Sequence, residues 1–203
     1  MEILKKIKSV LFQPSKFFES LKKEKGVKEA FKYFLVLSFV STILGIIAGR
    51  LFYDYYMSLM NTMYGGAFPM PQQTIESIVI FPFVWFIFGL FLSFIIAGIL
   101  HVWILIFGGK EDYAKTYQLW IYSITPGLAL GWIPFVAFFA WIYNLFLLIL
   151  GTQKVHGISR SKEILMYVLP LVLIAIFMII CMIFFLSLVS TNPELFMNYT
   201  AMQ

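Results

Sequence analysis

From Ile78 to Phe107 the chain runs thirty residues without one Asp, Glu, Lys or Arg, and from Ile164 to Val189 another twenty-six. A helix needs roughly 20 apolar residues to cross about 30 Å of hydrocarbon, so either run is long enough. Hydrocarbon offers no hydrogen bonds to an open backbone, which restricts such runs to helices. Composition agrees, since 61% of residues are hydrophobic and 12% charged, against about 25% charged in soluble domains. The expected class is an all-α integral membrane protein. The single cysteine, Cys181, lies inside an apolar run. It can form no internal disulfide and reads as a small lipid- or helix-facing residue.

Five spans are expected, at about 31–51, 78–107, 116–131, 134–150 and 164–189. The middle pair comes from one 35-residue stretch, Thr116 to Leu150, interrupted by Pro126, Gly127, Gly131 and Pro134. Proline removes a helix donor and clashes with the preceding turn, so a tight helical hairpin is predicted there, spanning or re-entrant. Residues 52–76, 108–115 and 151–163 read as loops. The thirty-residue second run exceeds what a bilayer needs, and Pro82 near its start marks that end as the irregular piece.

Charge sets the expected orientation. Lys and Arg number nine before residue 33, two in the 108–115 loop and three in the 151–163 loop, leaving Arg50 alone for the other side. Positive charge collects on the cytoplasmic side. The N-terminus and both loops are therefore expected inside, and the C-terminus outside. Three parts follow: a cytoplasmic amphipathic region over 1–30, a five-span domain over 31–190, and an extracytoplasmic tail over 191–203. The lysine-rich opening has no uninterrupted apolar stretch or small-residue cleavage site, so it does not read as a cleaved signal.

Within the first region, Ile3, Leu4, Ile7, Val10 and Leu11 recur at helical spacing, with Lys5, Lys6 and Lys8 on other faces. Pro14 then opens a second short helix, with Phe17, Phe18 and Leu21 opposite Glu19, Lys22 and Lys23. One or two interfacial amphipathic helices held by anionic lipid are predicted. Two small-residue stripes predict helix packing, Ser41, Gly45 and Gly49 on the first span, and Gly89, Ser93 and Ala97 on the second. Antiparallel helices would set Gly49 near Gly89 and Ser41 near Ala97.

Four stretches resemble the Yip/YIPF family, the Ypt/Rab-interacting membrane proteins, in the short form of archaea and bacteria. They are PSKFFESLKKEKG (14–26), GGKEDYAKTYQL (108–119), YSITP (122–126) and GTQKVHGISRSKE (151–163). YSITP is similar to the family's Gly-Tyr-x-x-x-Pro pattern, with Ile121 in the glycine position. The Asp-Leu-x-Gly-Pro pattern of eukaryotic members is absent. The resemblance implies five spans, a cytoplasmic N-terminus and, for the prokaryotic branch, no defined reaction; the expected location is a prokaryotic cell membrane.

No catalytic pattern is visible. Gly108-Gly109-Lys110 is followed by Glu111 rather than Ser or Thr and is not a phosphate loop. His101 and His156 are too few for a histidine metal site. His101 reads as bonded across a helix interface, and His156 as a loop residue. Ser93, Ser123 and Thr125 read as bonding carbonyls of their own helices. Asn198-Tyr199-Thr200 fits a glycosylation acceptor. The expectation is a non-enzymatic scaffold or adaptor without cofactor, the alternatives being a small transporter or channel and, last, an intramembrane enzyme. Expected partners are the bilayer, a cytoplasmic protein and a second copy, with no nucleic acid. The interaction candidates are Gly108, Gly109, Lys110, Tyr122, Pro126, His101 and His156.

Overall fold

The structure, a computed structural model, describes residues 2–65 and 73–191. Helices α1 (Glu2–Phe12) and α2 (Pro14–Ser20) lead into a 3-10 turn, Leu21–Lys23. Next come α3 (Lys28–Met63), a π-helical segment at Glu76–Ile80 and α4 (Phe81–Ile106). The chain continues with α5 (Tyr113–Ser123), α6 (Thr125–Leu130), α7 (Val136–His156) and α8 (Arg160–Thr191). Residues through Ser159 form one compact unit, and α8 belongs to a second.

Four of these helices are long and apolar enough to cross a membrane, where the sequence suggested five. The expected span at 116–131 is instead two short helices, of 11 and 6 residues. They meet at Ile124, because Pro126 lacks a backbone donor and sits comfortably in the first turn of α6. The Gly127 N–H, left open at that helix start, is accepted by Asn144 Oδ1 of α7 at 2.9 Å. The hairpin then turns at Gly131–Phe135, where Val136 N–H donates to Pro134 O across Phe135, whose φ is 64°.

Two expected loops are largely helix. α3 runs on through the tyrosines to Met63, so only the later part of 52–76 is non-helical among the described residues. The 151–163 loop shrinks to 157–159, with Gly157 at φ 66° ending α7. Gly66, Pro69, Pro71 and the tail with Asn198-Tyr199-Thr200 lie outside the described residues.

The core of the first unit surrounds α5. Its Thr116, Tyr117, Gln118, Leu119, Ile121 and Tyr122 are completely buried, against α3, α4 and α7. This sequence is too polar to face lipid, so it is buried on nearly every side while the apolar helices carry the lipid-facing surface. On α4, Trp85, Phe91, Ile99 and Ile106 are all at least 67% exposed. The π-helical segment and Pro82 sit at the irregular start of α4.

The stripes do not meet as expected. Phe31 lies tilted against Phe94 with centroids 5.5 Å apart, and Phe39 edge-on to Phe86 at 5.8 Å. Carried along the helices, that register sets Gly49 beside the π-helical segment rather than beside Gly89. Near the N-terminal helices, Ser93 and Ala97 of α4 are buried. There Ser93 Oγ lies 3.2 Å from Tyr117 Oη, so this part of the stripe turns toward α5. Elsewhere along the pair, a Cβ added to Gly45, Gly49 or Gly89 meets nothing within 4 Å. Those glycines line a cavity of about 610 Å³ between α3 and α4.

Candidate functional site at the N-terminal helices

α5 starts from Asp112, whose Oδ1 accepts from Lys115 N at 2.9 Å, a helix N-cap. Positions 115, 118 and 122 then fall on one side of the helix. The Lys115 ammonium donates to the carbonyls of Leu21 and Glu24. Gln118 Nε2 donates to Glu24 O at 3.2 Å and Gly26 O at 2.6 Å. Leu21 O also accepts the Glu24 N–H that closes the 3-10 turn, at 3.0 Å, while Glu24 and Gly26 lie in the segment after it. Two side chains of α5 thus hold in place the strand of chain that joins the N-terminal helices to α3.

Tyr122 closes the arrangement. Its hydroxyl donates to Glu24 Oε1 at 2.9 Å and accepts from Lys6 Nζ at 3.0 Å. Lys6 also pairs with Glu24 Oε2 at 3.4 Å, both side chains being less than a third exposed. The Tyr122 ring is wedged between Phe17, at 4.9 Å, and Tyr33, at 5.1 Å. Tyr33 in turn shares a 2.9 Å hydrogen bond with Thr125. A part-buried ion pair bridged by a phenol is worth more than an exposed one, because less water competes for its groups. Removing either charge would leave the other poorly paired.

α7 supplies a second set of ties. Tyr143 Oη donates to Leu11 O at 2.6 Å, and Lys154 Nζ to Glu19 Oε1 at 2.6 Å. The Lys154 hydrogen bond and charge hold the Glu19 carboxyl below the usual carboxylate range. Between them α2 comes close to α7 at Gly151, where an added Cβ would strike Leu119 and lie 2.8 Å from the Phe18 ring. Phe18 and Leu119 are both fully buried, so neither has room to retreat.

Part of the apolar face predicted to lie on the membrane is therefore spent inside the protein. Val10, Phe17, Phe18 and Leu21 are buried. What α1 leaves outside is Leu4, Lys5, Lys8 and Phe12, with Lys16 exposed on α2. Leu4 and Phe12 are 72% and 74% exposed. Helical geometry sets these four α1 residues within about a third of the helix circumference.

The two histidines meet at one threonine. His101 Nδ1 lies 2.8 Å from Thr116 Oγ1, which lies 3.1 Å from His156 Nε2. One hydroxyl has one proton, so Thr116 donates to one ring and accepts from the other. His156 is on α7 and only 3% exposed, not a loop residue. Its Nδ1 has no hydrogen-bond partner among the described atoms and faces Gly109. An added Cβ at Gly109 would strike Ile104 and lie 3.2 Å from that nitrogen. Bare glycine backbone is what lets the end of α4 lie against the end of α7. Among the described residues no three His, Cys, Asp or Glu converge as a metal site would require.

Of the sequence candidates, Tyr122 enters the clamp on the N-terminal helices, and His101 and His156 are joined beside it. Pro126 is buried at the start of α6, and Ser123 Oγ is buried without a partner instead of bonding a carbonyl. Gly108, at φ 94°, ends α4, and Lys110 points to solvent outside the clamp. Lys6, Glu24, Tyr33, Lys115 and Gln118 were not singled out. The 115, 118, 122 spacing on one helical face was the available signal.

The family model of the Yip1 domain matches residues 8–182 of the chain. No curated protein and no solved structure matches it.

Proposed function

Because the chain belongs to the Yip1-domain family, matched over residues 8–182, we propose that it is a non-enzymatic membrane scaffold or adaptor. Its working surface is the outer face of α1, held rigidly on the membrane helices and offering Leu4, Phe12, Lys5 and Lys8 together. The observation that carries this reading is the clamp itself. Lys115, Gln118 and Tyr122 hold the N-terminal helices in one position, as a presenting surface requires. Cation and apolar side chain side by side suit anionic lipid headgroups and an acidic, apolar protein surface alike.

In this reading α5 and α6 together make a short fifth crossing, shielded from lipid by their neighbours. The N-terminus is cytoplasmic and the C-terminus is outside. The fourteen-to-one division of Lys and Arg supports that orientation. So does the contact of Gly109 with His156, which brings both basic connections to one face.

A photo-reactive residue at position 4 or 12 of the full chain in native membranes tests the proposal. Adducts with lipid or protein are expected from both positions, and none from the buried positions 10 and 18. Equal labelling of all four would remove the presenting surface. Solute flux into proteoliposomes that His101→Ala abolishes would replace scaffolding with transport.

A further inference from the structure

The cavity between α3 and α4 has a shape and a chemistry of its own. Its 610 Å³ lies within the roughly 300–1,000 Å³ range of small-molecule sites. Gly45, Gly49 and Gly89 form its smooth middle, and Trp85 and Phe86 add apolar wall. Arg50, Tyr53, Gln73 and Ser77 make one end polar; Ser38, Ser41 and Thr42 also line the α3 wall, where the Ser38 and Thr42 hydroxyls donate to carbonyls of their own helix. Arg50 is the sole Lys or Arg between residues 33 and 109. None of the three ion pairs among the described residues includes it.

A guanidinium offers a planar fork that matches phosphate, and an apolar slot below it matches a hydrocarbon chain. From the α3 positions lining the cavity, 34 to 53, the slot runs about 28 Å along the helix, enough for a chain crossing one leaflet. We propose that this cavity is a binding site for an anionic membrane phospholipid, its phosphate against Arg50 and one acyl chain along the glycine wall. Glycine here is not a helix-packing device. It keeps the slot open, since α3 and α4 leave those positions untouched.

The test is native mass spectrometry of the full chain in detergent, titrated with phosphatidylglycerol or phosphatidylcholine of identical chains. Phosphatidylglycerol should be retained in preference. Arg50→Gln should reduce that preference about tenfold, the size of one charge-assisted hydrogen bond. Gly45→Leu with Gly89→Leu should abolish retention of both lipids. Each wall variant is also made singly as Gly→Ala, with circular dichroism and thermal unfolding to confirm a folded chain; graded loss of retention is expected from these. Lys25→Gln with Lys28→Gln, exposed lysines outside the α1 face, should leave the preference unchanged, which separates this site from non-specific attraction of positive charge. Equal retention of the two lipids, indifference to Arg50→Gln, or indifference of folded wall variants would each overturn the assignment.

Discussion

The two ends of the α3–α4 pair are built from similar small residues and behave in opposite ways. Near the N-terminal helices, Ser93 and Ala97 are buried and α5 packs on both α3 and α4. Beyond it, a Cβ added to Gly45, Gly49 or Gly89 would meet nothing within 4 Å and a cavity remains. Lipid tails are as apolar as the helices, so there is no hydrophobic force to draw the glycine faces together. Closure at the first end comes from groups that must avoid lipid: Tyr117, Thr116 and Gln118 find partners only where several helices converge. Small residues permit close approach; buried polar groups require it.

That contrast can be broken most severely at the clamp. Lys115→Met removes the ammonium shared by the Leu21 and Glu24 carbonyls, which keep the Glu24 N–H and the Gln118 amide as donors, and should cost about 3 kcal/mol, the upper range for hydrogen bonds to a charged group. Limited proteolysis should then cut between residues 12 and 28, and should leave the parent intact there. Gly151→Val should cost about 1–3 kcal/mol by overpacking Phe18 and Leu119, read as a lowered Tm in detergent. Thr116→Val removes the hydroxyl shared by both histidines and should cost about 1–2 kcal/mol. The far end should respond differently: Gly45→Ala and Gly89→Ala should keep Tm or raise it by the equivalent of about 0.5–1 kcal/mol, because alanine favours helix and no neighbour is displaced. A loss of more than 1 kcal/mol at either glycine would mean that the two helices do touch there.

The smallest effect should come from pH. Glu19 is held below its ordinary pKa of 4.5 by Lys154. Its contribution is therefore present above pH 4.5 and lost as pH falls through the lower folded value. The pair is exposed, so acid should change thermal unfolding little in the parent and still less in Lys154→Met. An equal response in both proteins would separate acid sensitivity from this pair.

Much of the architecture could be read from residue order. The uncharged runs announce membrane helices because a charge in hydrocarbon is costly wherever the chain puts it. Pro126 and Gly131 likewise mark a break in a helical stretch, since proline's missing donor is a local fact. The site was less legible. Lys115, Gln118 and Tyr122 could be placed on one helical face, but their partners Leu21, Glu24 and Lys6 lie about ninety to over a hundred positions away. The Phe17–Phe18 face looked suited to a membrane surface because amphipathicity shows that a face will be buried without naming what buries it.

Local chemistry, then, determined the class: helices, their apolar lengths, the N-cap at Asp112 and the uneven distribution of cations follow from residues acting on near neighbours. Tertiary structure alone decided that α5 is the buried centre, that Thr116 joins His101 to His156, and that the glycine wall stays open. Those outcomes depend on which helix arrives against which, and at what height. That choice is made by the whole set of polar groups finding partners together, a condition no single segment contains.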